Sequence, residues 1–355
     1  MHTRHFLLLY CLNAFRNERT IYGTYHLLKG KKTSQTIQDA KLFALDFLFG
    51  VLPEVDRNIF EQDIASLFAS GFISHPGEGR SSLTEDGKRM LNASLSRNPF
   101  PAGLNGWRFH ASAGPFWQRF SLMVQVLSHL MAGMKGYIPV AAKEEHQSWV
   151  KQSLPAGGPE RKKYLDGLYK EISMQLEAHS SDIDASIFTM RLSGARRYGL
   201  TLRQIAEKLG KDEEEVRLRF QGTLHRILLK AEEDISSYPL LHSFIPVRAD
   251  GLTLTKTARR TWDLINAGKS IDEAAAIRRL KRSTIEDHIV ELALNVPDFS
   301  IDLFVPDKIR VSIGQMIAAA ETRKLRELKE LAGDAAGYFE IRLILAKEEA
   351  LHGSK

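Results

Sequence analysis

Cysteine is nearly absent from this chain: Cys11 is the single one in 355 residues. One thiol cannot close an intramolecular disulfide or supply a Cys-based zinc site within one chain, so a reducing cytoplasm is the expected compartment. Long apolar runs are missing as well. The stretch that invites a membrane or secretory reading, Phe6 to Phe15 (FLLLYCLNAF), is ten residues long, against the roughly twenty that span a bilayer. It has no small-residue cleavage site and runs into Arg16-Asn17-Glu18-Arg19, which argues against a signal peptide. A buried first helix is expected there.

Catalytic signatures are also lacking. Neither the GxSxG nor the HExxH pattern occurs, and the twelve histidines are scattered without metal-ligand spacing. Gly268-Lys269-Ser270 mimics the end of a phosphate-binding loop, but Asp263 stands where the first glycine is required and a helical pattern, not a strand, precedes it. A protein without catalytic activity, cofactor, metal or small-molecule substrate is expected.

Helical periodicity dominates what is present, so the fold class is mainly α. Only Phe72-Ile73, Ser82-Leu83-Thr84 and Leu252-Thr253-Leu254-Thr255 have the turn-flanked look of strands. A hydrophobic content of 43% over this length supports about two to three separately cored domains. Pro and Gly clusters at Asn98-Pro99-Phe100-Pro101, at Leu154 to Pro159 and from Pro246 to Gly251 mark breaks. The expected domains are a winged-helix-like 1–98, a helical 99–185, a helix-turn-helix 186–245 and a second helix-turn-helix domain over 246–355.

Helix, short turn and capped helix recur near residues 21–49, 195–228 and 257–294. In the first copy a helix over Ile21 to Leu28 meets the turn Lys29 to Lys32, and a second helix opens at Thr33-Ser34 with Ile37, Ala40, Ala44, Phe47 and Val51 on one buried stripe. A third helix, Gly71-Phe72-Ile73, the loop His75 to Arg80 and Ser82 to Lys88 with its LTxxG turn then follow in the order of a winged helix. Trp107, Phe109, Phe116, Trp117 and Phe120 belong to the core of the helical stretch. In the second copy Thr201 and Gln204 form a capping box, Gly210 suits the turn, and Asp212 caps the next helix. In the third, Ser270 pairs with Glu273 and Ser283 with Glu286 as boxes, while Thr284, Asp287, His288 and Glu291 form a polar face of the last helix, with His288 at its surface.

A helix-turn-helix lays its second helix in the major groove, with basic turn residues on phosphates. The net charge of +6 favours a polyanionic partner only weakly. Residues 251–290, however, hold eight basic residues against five acids. Lys269, Arg278, Arg279, Lys281 and Arg282 are therefore the first candidates for phosphate, with Ser283, Thr284 and His288 facing bases or a protein partner. Lys31, Lys32, Ser34, Gln35 and Thr36, with Arg80 on the wing, form a second candidate DNA site. The second copy opens with Asp212-Glu213-Glu214-Glu215, which would press carboxylates on phosphates, so a structural or protein-contact role is expected of it. A transcriptional regulator and a protein-docking scaffold without DNA contact remain alternative readings.

These motifs resemble the YpbB family of bacterial helix-turn-helix proteins, which are associated with RecQ-type DNA helicases. The likeness rests on Arg19 to Asp39, on Gly106-Trp107-Arg108-Phe109 and on Phe116-Trp117. It is most specific at Thr261-Trp262, Gly268 to Ile271, Arg278 to Leu280, Thr284-Ile285 with His288, and Tyr338 to Leu343, which look like the helix-turn-helix domain found at the C-termini of some RecQ helicases. Ala274-Ala275-Ala276 departs from that pattern, where a β-branched residue is more usual. The resemblance implies a stand-alone accessory protein for DNA repair or recombination, with DNA and a RecQ-type helicase on a separate chain as partners, and no membrane.

Overall fold

The computed structural model describes residues 2–77, 80–134, 136–179, 181–246, 254–296, 298–320 and 322–352. Glu78 and Gly79 of the expected wing loop, the expected break over 247–251, and Leu252 and Thr253 of an expected strand lie outside the described residues.

Nineteen α-helices and one two-stranded sheet are present among the described residues, so the protein is mainly α. The chain opens with α1 (Thr3–Phe15), α2 (Ile21–Lys29), α3 (Ser34–Leu42), α4 (Arg57–Ala69), β1 (Ile73–Gly77), β2 (Arg80–Leu83) and α5 (Glu85–Arg97). It continues through α6 (Gly106–Phe109), α7 (Ala113–Met131), α8 (Glu144–Ser153), α9 (Gly158–His179), α10 (Asp182–Met190), α11 (Leu202–Leu209), α12 (Glu213–Glu233) and α13 (Pro239–Ser243). The last elements are α14 (Lys256–Asn266), α15 (Ile271–Arg278), α16 (Arg282–Asn295), α17 (Asp307–Ala319), α18 (Leu325–Ala332) and α19 (Tyr338–His352). None of these helices is long and apolar enough to cross a membrane.

Two compact units result: Met1–Phe6 with Ala93–Val247, and Leu7–Asn92 with Arg248–Lys355. In the first, the aromatic residues of α6 and α7 are buried. Trp117 meets Phe220 edge-on at 4.8 Å and Phe188 at 5.3 Å, while Phe116 and Phe120 lie against Phe244. Burial of each such ring contributes about 1.5–3 kcal/mol, so this cluster anchors the unit. The capping box of α11 forms as the sequence predicts: Thr201 Oγ1 accepts from the Gln204 amide, and Gln204 Oε1 from the Thr201 amide. Gly210 closes the helix at φ +61, and Asp212 caps α12 by accepting from Glu214 N.

The second unit is centred on α16, which packs against α3, α14, α15 and α19. Ile285, Ile289, Val290 and Leu292 of α16 share one core with Leu42, Ile313, Ile317, Ile341 and Leu345. The apolar run of α1 is buried here through Leu7, Leu9, Cys11, Leu12 and Phe15. Ala274 and Ala275 are buried at the contact of α15 with α16, where a small side chain lets two backbones approach closely. The strands pair antiparallel, Ile73 opposite Leu83 and Ser74 opposite Ser82. Thr84 then locks the hairpin to α5: its hydroxyl donates to Gly71 O at 2.6 Å and accepts from Gly87 N at 3.1 Å.

α3 is shorter than its apolar stripe suggested. Leu45 N reaches back to Ala40 O, and Ala44 turns out to solvent at φ +50, so the stripe passes from Ala40 to the buried Leu45 and Leu48 instead of through Ala44. Leu254 and Thr255 are not a strand either. Thr255 is the N-cap of α14, accepting from Ala258 N.

Candidate nucleic-acid interface

The turns that lead into α3, α12 and α16 each begin with one residue in the left-handed region, as does the Gly268-Lys269 turn between α14 and α15, with Gly268 at φ +79. In α2 and α11 that residue is glycine, Gly30 at φ +77 and Gly210 at φ +61. In α15 it is Arg279, at φ +52 and ψ +44. A side chain costs roughly 1–2 kcal/mol in this conformation, which is why glycine normally fills it. Arg279 therefore holds a strained backbone position while presenting an exposed guanidinium that has no carboxylate partner among the described residues.

Two residues on, Lys281 is the N-cap of α16, extended at φ −66 and ψ 147, and its side chain is likewise exposed and unpaired among the described residues. This displaces the expected second capping box. α16 starts at Arg282, so Ser283 lies inside the first turn, exposed and not capping. Glu286 is taken by Arg282 Nε at 3.0 Å. The shift follows from the backbone: the amide of Leu280 closes on Ala275 O, which holds Leu280 in the turn and leaves Lys281 as the last extended residue.

Other candidate cations already have partners. Arg282 Nη1 donates to both Asp272 oxygens, at 2.6 and 2.7 Å, and Lys269 Nζ lies 3.3 Å from Glu273. Arg278 folds inward, donating from Nη1 to Thr257 O at 2.7 Å, to the Thr261 hydroxyl, and to His288 Nδ1 at 3.2 Å. Loss of hydration on burial and the nearby Arg260 lower its pKa. His288 is buried rather than at the surface. Its Nδ1 lies 2.8 Å from the Thr261 hydroxyl, and burial together with Arg278 pulls its pKa down to about 4. Three members of the polar stripe of α16, Asp287, His288 and Glu291, are engaged by neighbouring helices. Glu291 accepts from the Thr255 amide and hydroxyl, and Asp287 pairs with Arg342 of α19 at 2.7 Å. Of Ser283, Thr284 and His288, the exposed Ser283 and partly exposed Thr284 are accessible to a ligand.

Residues 257–345, spanning α14 into α19, match the family model of a helix-turn-helix domain. Over 350 residues the chain is 34% identical to Protein YpbB of Bacillus subtilis (strain 168), and the match covers 96% of each chain. The chain belongs to the YpbB family. No solved structure matches it.

In this YpbB-family chain the second candidate set also lies in the unit built around α16. Lys31 and Lys32 are exposed before α3; burial raises the Glu291 pKa, and Lys32 is near enough to oppose that rise. Gln35 Nε2 donates to Asp39 at 2.8 Å, and Thr36 is buried with its hydroxyl 2.8 Å from that of Thr33, the N-cap; Ser34 is half-buried. Gln35 and Arg80 line one polar cavity of about 620 Å³ with Arg19, Lys324 and Arg326, but Glu18, Glu327 and Glu330 share it. Four cations against three carboxylates leave that cavity nearly neutral. Lys256 and Arg260 of α14 are exposed and pair with no carboxylate among the described residues. In the sequence they add to the basic excess of residues 251–290 without standing among the first candidates; their i, i+4 spacing on the polar side of α14 is the signal that marks them.

Proposed function

We propose that this protein is a non-catalytic DNA-binding accessory factor that acts beside a RecQ-type DNA helicase in repair or recombination. The observation that carries the DNA half is Arg279, an arginine unpaired among the described residues and held in the left-handed region at the turn into α16, where the turns into α3, α12 and α15 have glycine. Strain of this kind persists where function maintains it. Because α16 is enclosed by four other helices, DNA contact is made end-on. Arg279, Lys281, Lys256 and Arg260 meet phosphates, and Ser283 and Thr284 are the residues near enough to a groove to touch base edges. Contacts of this type hold DNA with little sequence preference, which fits an accessory factor better than a promoter-specific regulator. Arg80, on a hairpin placed like the wing of a winged helix, is a secondary contact. The helicase half rests on the resemblance of residues 261–343 to the C-terminal domain of RecQ helicases.

A fluorescence-anisotropy titration of duplex, single-stranded and forked DNA at two salt concentrations tests the reading. Four phosphate contacts predict a log–log salt slope of about −3 to −4 on duplex. Stimulation of a RecQ-type helicase on the fork, or co-purification with it, supports the partnership; identical unwinding with and without the protein and no co-purification overturns it. Absence of binding to every DNA favours the second reading, a protein-docking module, for which the enclosure of α16 and the carboxylate partners of Arg282 and Lys269 speak.

A further inference from the structure

Between Met190 and Gln204 the chain carries four arginines, Arg191, Arg196, Arg197 and Arg203, and no acid. In the first unit this stretch forms a tight loop that leads from α10 into α11. Its backbone is anchored at many points. Gly194 and Arg197 pair as an isolated antiparallel bridge, Ala195 N donates to Ser128 Oγ at 3.0 Å, Gly199 N to Ser193 Oγ at 2.8 Å, and Leu200 N to Met190 O at 2.8 Å. Gly199 is packed so tightly that an added Cβ would sit 2.1 Å from Arg191 O. The Arg197 guanidinium adds a bond to Thr189 O at 2.6 Å.

On this fixed backbone Tyr198 stands 88% exposed. A tyrosine ring ordinarily covers itself against the protein, so one held out on an anchored loop needs another explanation. Neither Tyr198 nor Arg196 has a hydrogen-bond or ion-pair partner among the described residues. Beneath the loop Arg191 lies over the Phe220 ring at 4.4 Å and has no carboxylate partner among the described residues, and its Nε is buried without a hydrogen-bond partner. Burial and the neighbouring Arg217 lower its pKa to about 10. Arg203 is paired with Glu207 at 3.1 Å, whereas Arg191, Arg196 and Arg197 have no carboxylate partner among the described residues, so a positive charge excess lies beside one free aromatic face.

We infer that the loop Arg196-Arg197-Tyr198 is a contact for single-stranded nucleic acid, with Tyr198 stacking on an unpaired base and Arg196 and Arg197 binding the flanking phosphates. A ring and guanidinium groups one and two residues apart supply both surfaces that a single strand offers, a base face and a backbone charge. An acidic peptide would use the arginines and leave the ring idle. The inference rests on the reading of the protein as a nucleic-acid binder but assigns a second contact, on the unit that does not contain α16.

The test uses the full chain and fluorescein-labelled probes, an oligo-dT of about twenty nucleotides and a duplex of equal length. Tyr198→Ala is expected to weaken oligo-dT binding about 5- to 150-fold, the range for one lost base stack, while Tyr198→Phe retains it. Arg196→Ala is expected to reduce the oligo-dT salt slope by about 0.7. The Arg279→Ala, Lys281→Ala double variant is expected to weaken duplex binding and to leave the Tyr198 effect intact. Because Tyr198 and Arg196 are exposed and unpartnered, their variants should keep the wild-type thermal midpoint, which checks folding. Oligo-dT affinity of Tyr198→Ala within about twofold of wild type, or loss equally severe in Tyr198→Phe, overturns the inference and leaves the duplex reading standing. Binding of wild type to duplex but not to oligo-dT does the same, and binding to neither removes both.

Discussion

The Arg342 guanidinium of α19 lies 2.7 Å from the Asp287 carboxylate of α16. From the same side chain Nε donates to Gln38 Oε1 of α3 at 3.1 Å, so one residue near the end of the chain ties the second helices of the first and third helix-turn-helix copies together. Gln38 is buried and its Nε2 has no hydrogen-bond partner among the described residues, while Arg342 supplies the bond to its amide oxygen. Arg342→Met keeps the apolar stem but leaves Gln38 and Asp287 without their cation. The expected loss is about 2 kcal/mol, the range for a charge-assisted bond in a partly buried site. Urea unfolding measures it; a change below about 0.5 kcal/mol would show that solvent replaces the guanidinium at no cost.

Gly87 gives a second prediction, in which helix propensity has the wrong sign. Alanine is the better helix former by about 1 kcal/mol, yet a Cβ at this position of α5 would sit 2.0 Å from Phe72 O. That carbonyl accepts from Thr84 N at 3.0 Å and cannot move without breaking the lock between hairpin and helix. Gly87→Ala should therefore destabilise by about 2 kcal/mol or more, with a lowered thermal midpoint as the measurement. An unchanged or raised midpoint would mean that the hairpin yields freely.

Local chemistry was the part of this fold legible in the sequence. The capping boxes Thr201/Gln204 and Ser270/Glu273 form because their partners are three residues apart and need nothing from elsewhere. The aromatic core and the buried first helix follow from apolar surface alone. What the sequence could not reveal depended on distant partners. The stripe Thr284, Asp287, His288 and Glu291 has the spacing of a solvated face, but Thr255, Thr261 and Arg342 engage all but Thr284 from two other helices. The charged run at 278–282 reads as uniformly basic, whereas Asp272 and Glu286 neutralise Arg282 and α14 takes up Arg278. Arg279 was readable in principle, by aligning it with Gly30 and Gly210.

His288 makes stability depend on pH in a calculable direction. Burial and the Arg278 guanidinium beside Nδ1 both disfavour a charged ring, so His288 is held neutral. Its folded pKa of about 4 lies below the ordinary 6.5. The unfolded chain thus binds more protons between these values, and the stabilisation from His288 is complete above 6.5 and lost as pH falls toward 4. His225, pulled down to about 3 by burial and His110, acts in the same sense. Comparison with His288→Asn isolates one group. The stability advantage of wild type over the variant should shrink between about pH 7.5 and pH 4.5; a gap that stays constant or widens would contradict the neutral, buried ring.

Arg279→Gly separates stability from binding at one position. Glycine enters the left-handed region freely and keeps both backbone bonds of the helix end, from the residue 279 amide to Ala275 O and Ala276 O. Part of the relief is offset because glycine also loosens the unfolded chain, so a gain of about 0.5–1 kcal/mol is expected. Duplex DNA should bind more weakly and with a salt slope smaller by about 0.9, the share of one phosphate. Arg282→Ala, by contrast, removes a guanidinium already held by two carboxylates and should leave the slope nearly unchanged. A variant that is more stable but binds as wild type does would identify Arg279 as strain without a role in DNA contact. Lost stability together with lost binding would instead show that the arginine side chain supports the turn.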